Sequence, residues 1–183
     1  MMRRLALSLL LGIAASGAIA QLDTIRDPTF NNAPYDQEEV KWIEAEAIFP
    51  EFPKPENLLP FYVSEMTSHR FMIDASTLQV GKDRVVRYVM VIQTSGGATN
   101  ISFEGIRCDT REYRIYASGR KDGSWAKARL SEWRFIENKP VNRHHAELSR
   151  NLFCPDGVPI QTSAEGVEAL RLGKHPSVAK GSP

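Results

Sequence analysis

Residues 84–129 read RVVRYVMVIQTSGGATNISFEGIRCDTREYRIYASGRKDGSWAKAR, and this stretch decides the fold. From Arg84 to Thr94, Val86, Tyr88, Met90 and Ile92 alternate with Val85, Val89 and Val91. Side chains alternate across a strand, so this one is apolar on both faces and belongs at the centre of a sheet. Ser95-Gly96-Gly97-Ala98 supplies the positive φ that reverses the chain. Asn100 to Arg107 then returns, with Ile101 and Phe103 on one face and Ser102 and Glu104 on the other, the pattern of a half-buried strand. Glu112 to Ala117 turns Tyr113 and Ile115 inward, and Asp122-Gly123 marks the next turn before Trp125. The connections are too short for parallel crossovers, so the strands form an antiparallel meander.

Outward from this centre, Arg70–Asp74 and Thr77–Val80 read as two short strand pieces around Asp74-Ala75-Ser76. Leu130–Ile136 reads as a last strand with Trp133 and Phe135 on one side. Asn142 is placed to cap a helix over 143–153 whose stripe is His144, Leu148 and Leu152. Ser163 opens a second short helix that stops at Gly173. The fold class is α+β: an antiparallel meander of about five or six strands with one or two C-terminal helices.

The chain has 183 residues and a formal charge of +1. Arg3 and Arg4, the apolar run Leu5–Ala15 and the small-x-small triplet Ala18-Ile19-Ala20 have the order of a cleaved export leader, residues 1–20. The run is too short for a membrane span. Its removal leaves about 160 residues, enough for one domain over 36–172. The nearly neutral balance argues against a dedicated nucleic-acid binder. Residues 21–35 read as a loose arm and 173–183 as a disordered tail. Asp36 with Glu39 matches a capping box. Ile43, Ala45, Ala47 and Phe49 alternate with Glu44 and Glu46, which favours a short strand over a helix from Gln37 to Ala47. Pro50, Pro53, Pro55 and Pro60 then force an extended path, and the interleaved Phe49, Phe52, Leu58, Leu59 and Phe61 direct it onto the sheet rather than to a proline-binding partner.

Export also bears on Cys108 and Cys154. An even cysteine count in an oxidising compartment favours a disulfide, which would staple the helix over 143–153 to the second strand of the meander. Closing a loop of roughly 45 residues would stabilise the fold by about 4 kcal/mol. A redox or metal-binding pair is the alternative, and no Cys-x-x-Cys spacing supports it.

No catalytic motif stands out. Ser95-Gly96-Gly97 lacks the context of a nucleophile elbow or a phosphate loop. His144 and His145, adjacent on a helix, point in different directions and fit a solvated face better than a metal site. With nearby carboxylates they are the acid–base candidates of an enzyme alternative, hydrolase-like in its His/carboxylate chemistry, with a site assembled from dispersed residues. Glu44 and Glu46, like Asp109 and Glu112, read as surface charges. Arg107, Arg111, Arg114, Arg120, Lys121, Lys127 and Arg129 outnumber Asp109, Glu112 and Asp122, with Tyr113, Tyr116 and Trp125 among them. Within this set Arg107, Arg111, Tyr113 and Trp125 are the candidate binding residues, for an anionic envelope component or an envelope protein. No cofactor and no metal is expected.

Taken together, Phe52-Pro-Lys-Pro-Glu-Asn-Leu-Leu-Pro-Phe61, Val86-Arg-Tyr88, Glu104-Gly-Ile-Arg-Cys-Asp-Thr-Arg-Glu-Tyr113, Trp125 after Asp122-Gly123, Trp133 and Phe153-Cys-Pro155 resemble the cryptic neisserial protein family. These are small exported proteins of Gram-negative bacteria without established activity. The resemblance runs from Trp42 to Leu172. It implies a periplasmic protein of unknown function and supplies no catalytic residue to carry over. Members are often lipoproteins. Here Gln21, not cysteine, follows the expected cut, so soluble release is expected.

Overall fold

The computed structural model describes residues 41–178. The expected leader, the arm over 21–35, the capping box at Asp36 and the last five residues lie outside them. Six strands follow one another as an antiparallel meander: β1 (Leu58–Phe61), β2 (Arg70–Val80), β3 (Val85–Gln93), β4 (Thr99–Arg107), β5 (Glu112–Gly119) and β6 (Trp125–Lys127). A two-residue strand, β7 (Arg134–Phe135), pairs with the other end of β5.

β3 lies at the centre, as its two apolar faces require. Val86, Tyr88 and Met90 join the core on one face, and Val89 and Val91 join a smaller core on the other. The β3–β4 reversal closes through Thr94 N–H to Ala98 O at 2.8 Å, with Gly97 at φ +82°. The expected strand pieces on either side of Ala75 are one strand, β2. Its register on β3 shifts between Asp74 and Gln79, so the Asp-Ala-Ser triplet makes a bulge instead of a turn. Asp74 Oδ1 accepts from Ser76 N–H and Oγ–H there. The expected strand over 130–136 shrinks to β7, with Phe135 exposed and Ile136 in the core.

The C-terminal helices cover the first face. A short helix, α1 (Arg143–Glu147), continues as a π turn over Leu148–Phe153. Asn142 does not cap it through its side chain; a 3-10 turn, Pro140–Asn142, leads in instead. The stripe His144, Leu148 and Leu152 is buried as the 3.6-residue period requires. The second helix, α2 (Ser163–Leu172), starts with Thr162 Oγ1 accepting from Glu165 N–H and ends at Gly173, φ +74°. Gly166 lets α2 approach β2: a Cβ there would stand 2.6 Å from both Leu78 and Ile160. Cys108 and Cys154 form a disulfide, with Cα atoms 5.4 Å apart, that ties the end of β4 to the end of the π turn. Residues 173–178, expected as part of a loose tail, pack back: His175 is buried, its N–H bonds Asn151 O and its Nε2 meets Glu165 Oε1 at 2.9 Å.

The second face is covered by a strap over 41–54 that is neither the expected strand nor the runner-up helix. Its expected inward set is kept only in its second half: Ala47 packs on the smaller core and Phe49 on Phe103, while Ile43 is 80% exposed and Trp42 and Glu44 turn in. The strap crosses a sheet face, where no ladder is available, so side chains hold it. Trp42 Nε1 donates to Asp83 O at 2.9 Å, and Ala45 N–H to Asp83 Oδ2 at 2.8 Å. Arg87 Nη2 donates to Ala45 O at 3.1 Å. Beyond it the proline-rich segment lies on the sheet, with Phe49 against Phe103 and Phe52 against Trp125. Pro60 sits on the edge strand β1, where its missing N–H leaves no ladder bond unmade.

Candidate functional site

The four candidate binding residues do not share a surface. Arg107 leaves β4 on the strap face, its guanidinium 3.7 Å from the Trp42 ring and 5.9 Å from Trp133, with Asp109 at 3.2 Å. Trp125 is on that face too, but its Nε1 donates to Pro50 O. Tyr113 is buried on the opposite face, stacked 3.8 Å from the His145 ring. Arg111 sits in the β4–β5 turn at φ +55°, above Phe135. Arg114, from the same basic run, is paired with Glu44, which also accepts from Tyr116 and Trp133. Glu44 is therefore a fastening of the strap and not the surface charge its sequence context suggests.

The histidine pair is not on a solvated face. α1 lies across the strands, so two successive side chains straddle the line of contact. His144 stacks on Phe71 of β2 at 5.2 Å, and His145 drops onto Tyr113 of β5. The two rings end 4.1 Å apart. His145 Nε2 meets Glu104 Oε2 at 2.9 Å, and that carboxylate also accepts from Tyr88 OH and Ser102 Oγ–H. Glu104 is a buried carboxylate on a strand whose alternation had placed it outward. Burial alone would raise its pKa, but the charge and hydrogen bond of His145, with His144 and Ser102, bring it down to about 2. Burial, reinforced by His145, holds His144 down at about 4, so its ring is neutral near pH 7.

His144 borders a cleft of about 470 Å³ at the β1 end of the helical face. Three segments line it. The β1–β2 connection and the start of β2 give Val63, Ser64, Thr67, His69 and Phe71. The β3–β4 hairpin gives Ile92, Thr94 and Asn100, and the approach to α1 gives Val141, Arg143 and His144. The lining is apolar with a few polar groups, and the size falls within the range of small-molecule sites, about 300–1,000 Å³. Arg143 Nη1 donates to Ser64 Oγ at 2.8 Å. A larger, more open groove of about 680 Å³ lies between the strap and β5, where Glu44 already neutralises Arg114. No group of three metal-ligating side chains occurs among the described residues. No described helix is long and apolar enough to cross a membrane.

No local pattern announces this cleft, because its walls come from segments about 30 and 40 residues apart. The nearest thing to a signal was His144 within the apolar stripe. A histidine spaced with Leu148 and Leu152 must face inward, and the adjacent His145 then has to find a buried partner.

The sequence model of the CNP1-like family matches residues 37–171. Cryptic neisserial protein 1 of Neisseria gonorrhoeae is 25% identical over 175 residues, which covers 86% of this chain and 86% of that protein. No solved structure matches.

Proposed function

The chain belongs to the CNP1-like family, and we propose that it is an exported periplasmic protein that binds an envelope component without transforming it, through the cleft beside His144. The leader-like pattern at Arg3–Ala20 supports export. So does the Cys108–Cys154 bond, since disulfides persist in oxidising compartments.

The observation that carries the binding reading is the cleft itself: an apolar hollow with Arg143, His69 and His144 placed at its walls. The enzyme alternative has weaker support. His144 is the histidine of the buried pair that borders the cleft, and at a pKa of about 4 it is a poor proton acceptor at neutral pH. His145 is turned away from the cleft to Glu104.

Native mass spectrometry of protein recovered from a Gram-negative periplasm tests the reading. The expected species starts at Gln21 and carries a small-molecule adduct. Asn100→Trp, which fills the mouth from an exposed position, should lose the adduct. An adduct that persists in Asn100→Trp, protein free of adducts in both cases, or a chain retained in the cytoplasm would refute it.

A further inference from the structure

Three arginines on the strap face each have a carboxylate. Arg87 pairs with Asp83 at 2.6 Å, Arg107 with Asp109 at 3.2 Å, and Arg114 with Glu44. Arg143 differs. One of its nitrogens is fixed by Ser64 Oγ, and among the described residues no carboxylate pairs with it. Arg143 lines the cleft, and a guanidinium fork matches the two oxygens of a carboxylate.

A second group faces the same space. His144 is only 8% exposed, its ring lines the cleft, and it makes no hydrogen bond to a described residue. A neutral imidazole offers one N–H donor and one acceptor, and those of His144 are not fully buried, so they stay open to solvent or to a ligand. Away from these two groups Val63, Phe71 and Ile92 make the apolar part of the walls beside the polar Thr67, His69 and Thr94, and the rim carries the exposed Met66 and Val141.

We propose that the cleft takes a small monocarboxylate with an apolar tail, its carboxylate held by Arg143 and His144 and its tail laid along Val63, Phe71 and Ile92 towards Met66 and Val141. This inference rests on the cleft being the binding site and adds the chemical class of the ligand. One unpaired guanidinium matches a single negative charge better than a dianionic phosphate, which would call for more cations. The tail covers apolar surface that is otherwise left to water.

Calorimetric titration with dodecanoate and with 1-dodecanol, both below micelle-forming concentrations, separates the two levels. Dodecanoate should bind the wild-type protein about tenfold or more tightly than the alcohol, the scale of one charge-assisted pair. Arg143→Gln should erase that advantage, so that the two probes bind alike, and an unchanged circular dichroism spectrum shows that the variant is folded. Arg143→Lys, which keeps the charge without the fork, should recover part of it. Equal binding of the two probes, an advantage that survives Arg143→Gln, or no binding of dodecanoate overturns the carboxylate assignment. If Asn100→Trp still abolishes dodecanol binding, the cleft stands without that assignment. If both probes bind Asn100→Trp as they bind the wild-type protein, cleft and carboxylate fall together.

Discussion

His145 and Glu104 put two ionisable groups where water does not reach, and the fold tolerates them because they meet each other at 2.9 Å. His144 is buried beside them without such a partner, and that has a sign in the pH dependence of stability. Its folded pKa, about 4, lies below the ordinary 6.5. Between these values the unfolded chain takes up a proton that the folded chain refuses, so stability is full above pH 6.5 and falls as the pH drops towards 4. That window corresponds to roughly 3 kcal/mol. Glu104 acts lower: its contribution is present above the ordinary carboxylate range and is lost as the pH falls towards about 2. Urea unfolding at pH 7 and pH 4.5 should show the loss in the wild-type protein, and His144→Phe should remove most of it. An equally steep loss in His144→Phe would assign the dependence to other groups. None of this was legible from Arg143-His-His-Ala-Glu147, because helical spacing gives the direction of a side chain and not what waits opposite it.

At the level of elements, the strap is the part that sequence reasoning placed least well, and the sheet the part it placed best. The meander declares itself locally: two-faced apolarity in β3 and Gly-rich or Asp-Gly turns are properties of consecutive residues. The strap depends on partners far away. Glu44 bonds Trp133 across 89 positions, and Arg87 bonds Ala45 across 42. Alternation over 43–49 therefore pointed to a strand where the chain is irregular, with Ala47 and Phe49 facing the sheet as expected and Ile43 turned out. Asp83 is the central fastening, with Oδ1 and Oδ2 accepting from Arg87 and Oδ2 also from Ala45 N–H. Asp83→Ala would leave the Arg87 guanidinium, 4% exposed, without its closest carboxylate. The expected cost is about 3–5 kcal/mol. Proteolysis should then cut within 41–54 well before the sheet unfolds. A variant with wild-type stability and an uncut strap would show that the aromatic contacts alone hold this segment.

Across the molecule, the sheet is a middle layer with a helical layer on one face and the strap on the other, and the disulfide joins sheet to helices. The bond spans 46 positions, and the chain-entropy estimate for such a loop is about 4 kcal/mol. Reduction, or Cys108→Ser with Cys154→Ser, should lower the urea midpoint by a matching amount, while an unchanged midpoint would show that the packing of Leu148, Leu152 and Phe153 suffices. The pairing was legible from cysteine count and expected compartment. The cleft was not, since it exists only once the β1–β2 connection, the β3–β4 hairpin and the approach to α1 are brought together. The basic run over 107–129 divides between two faces, as strand alternation leads one to expect. The pleat sends Arg107 and Tyr113 to opposite faces.

The most direct test of the cleft as the binding site is amide chemical-shift mapping of isotope-labelled protein titrated with dodecanoate. Shifts confined to residues 63–71, 92–100 and 141–145, saturating at one equivalent, are expected. Shifts centred on Arg111 and the exposed cations of 120–129, with 63–71 and 141–145 unmoved, would contradict that placement.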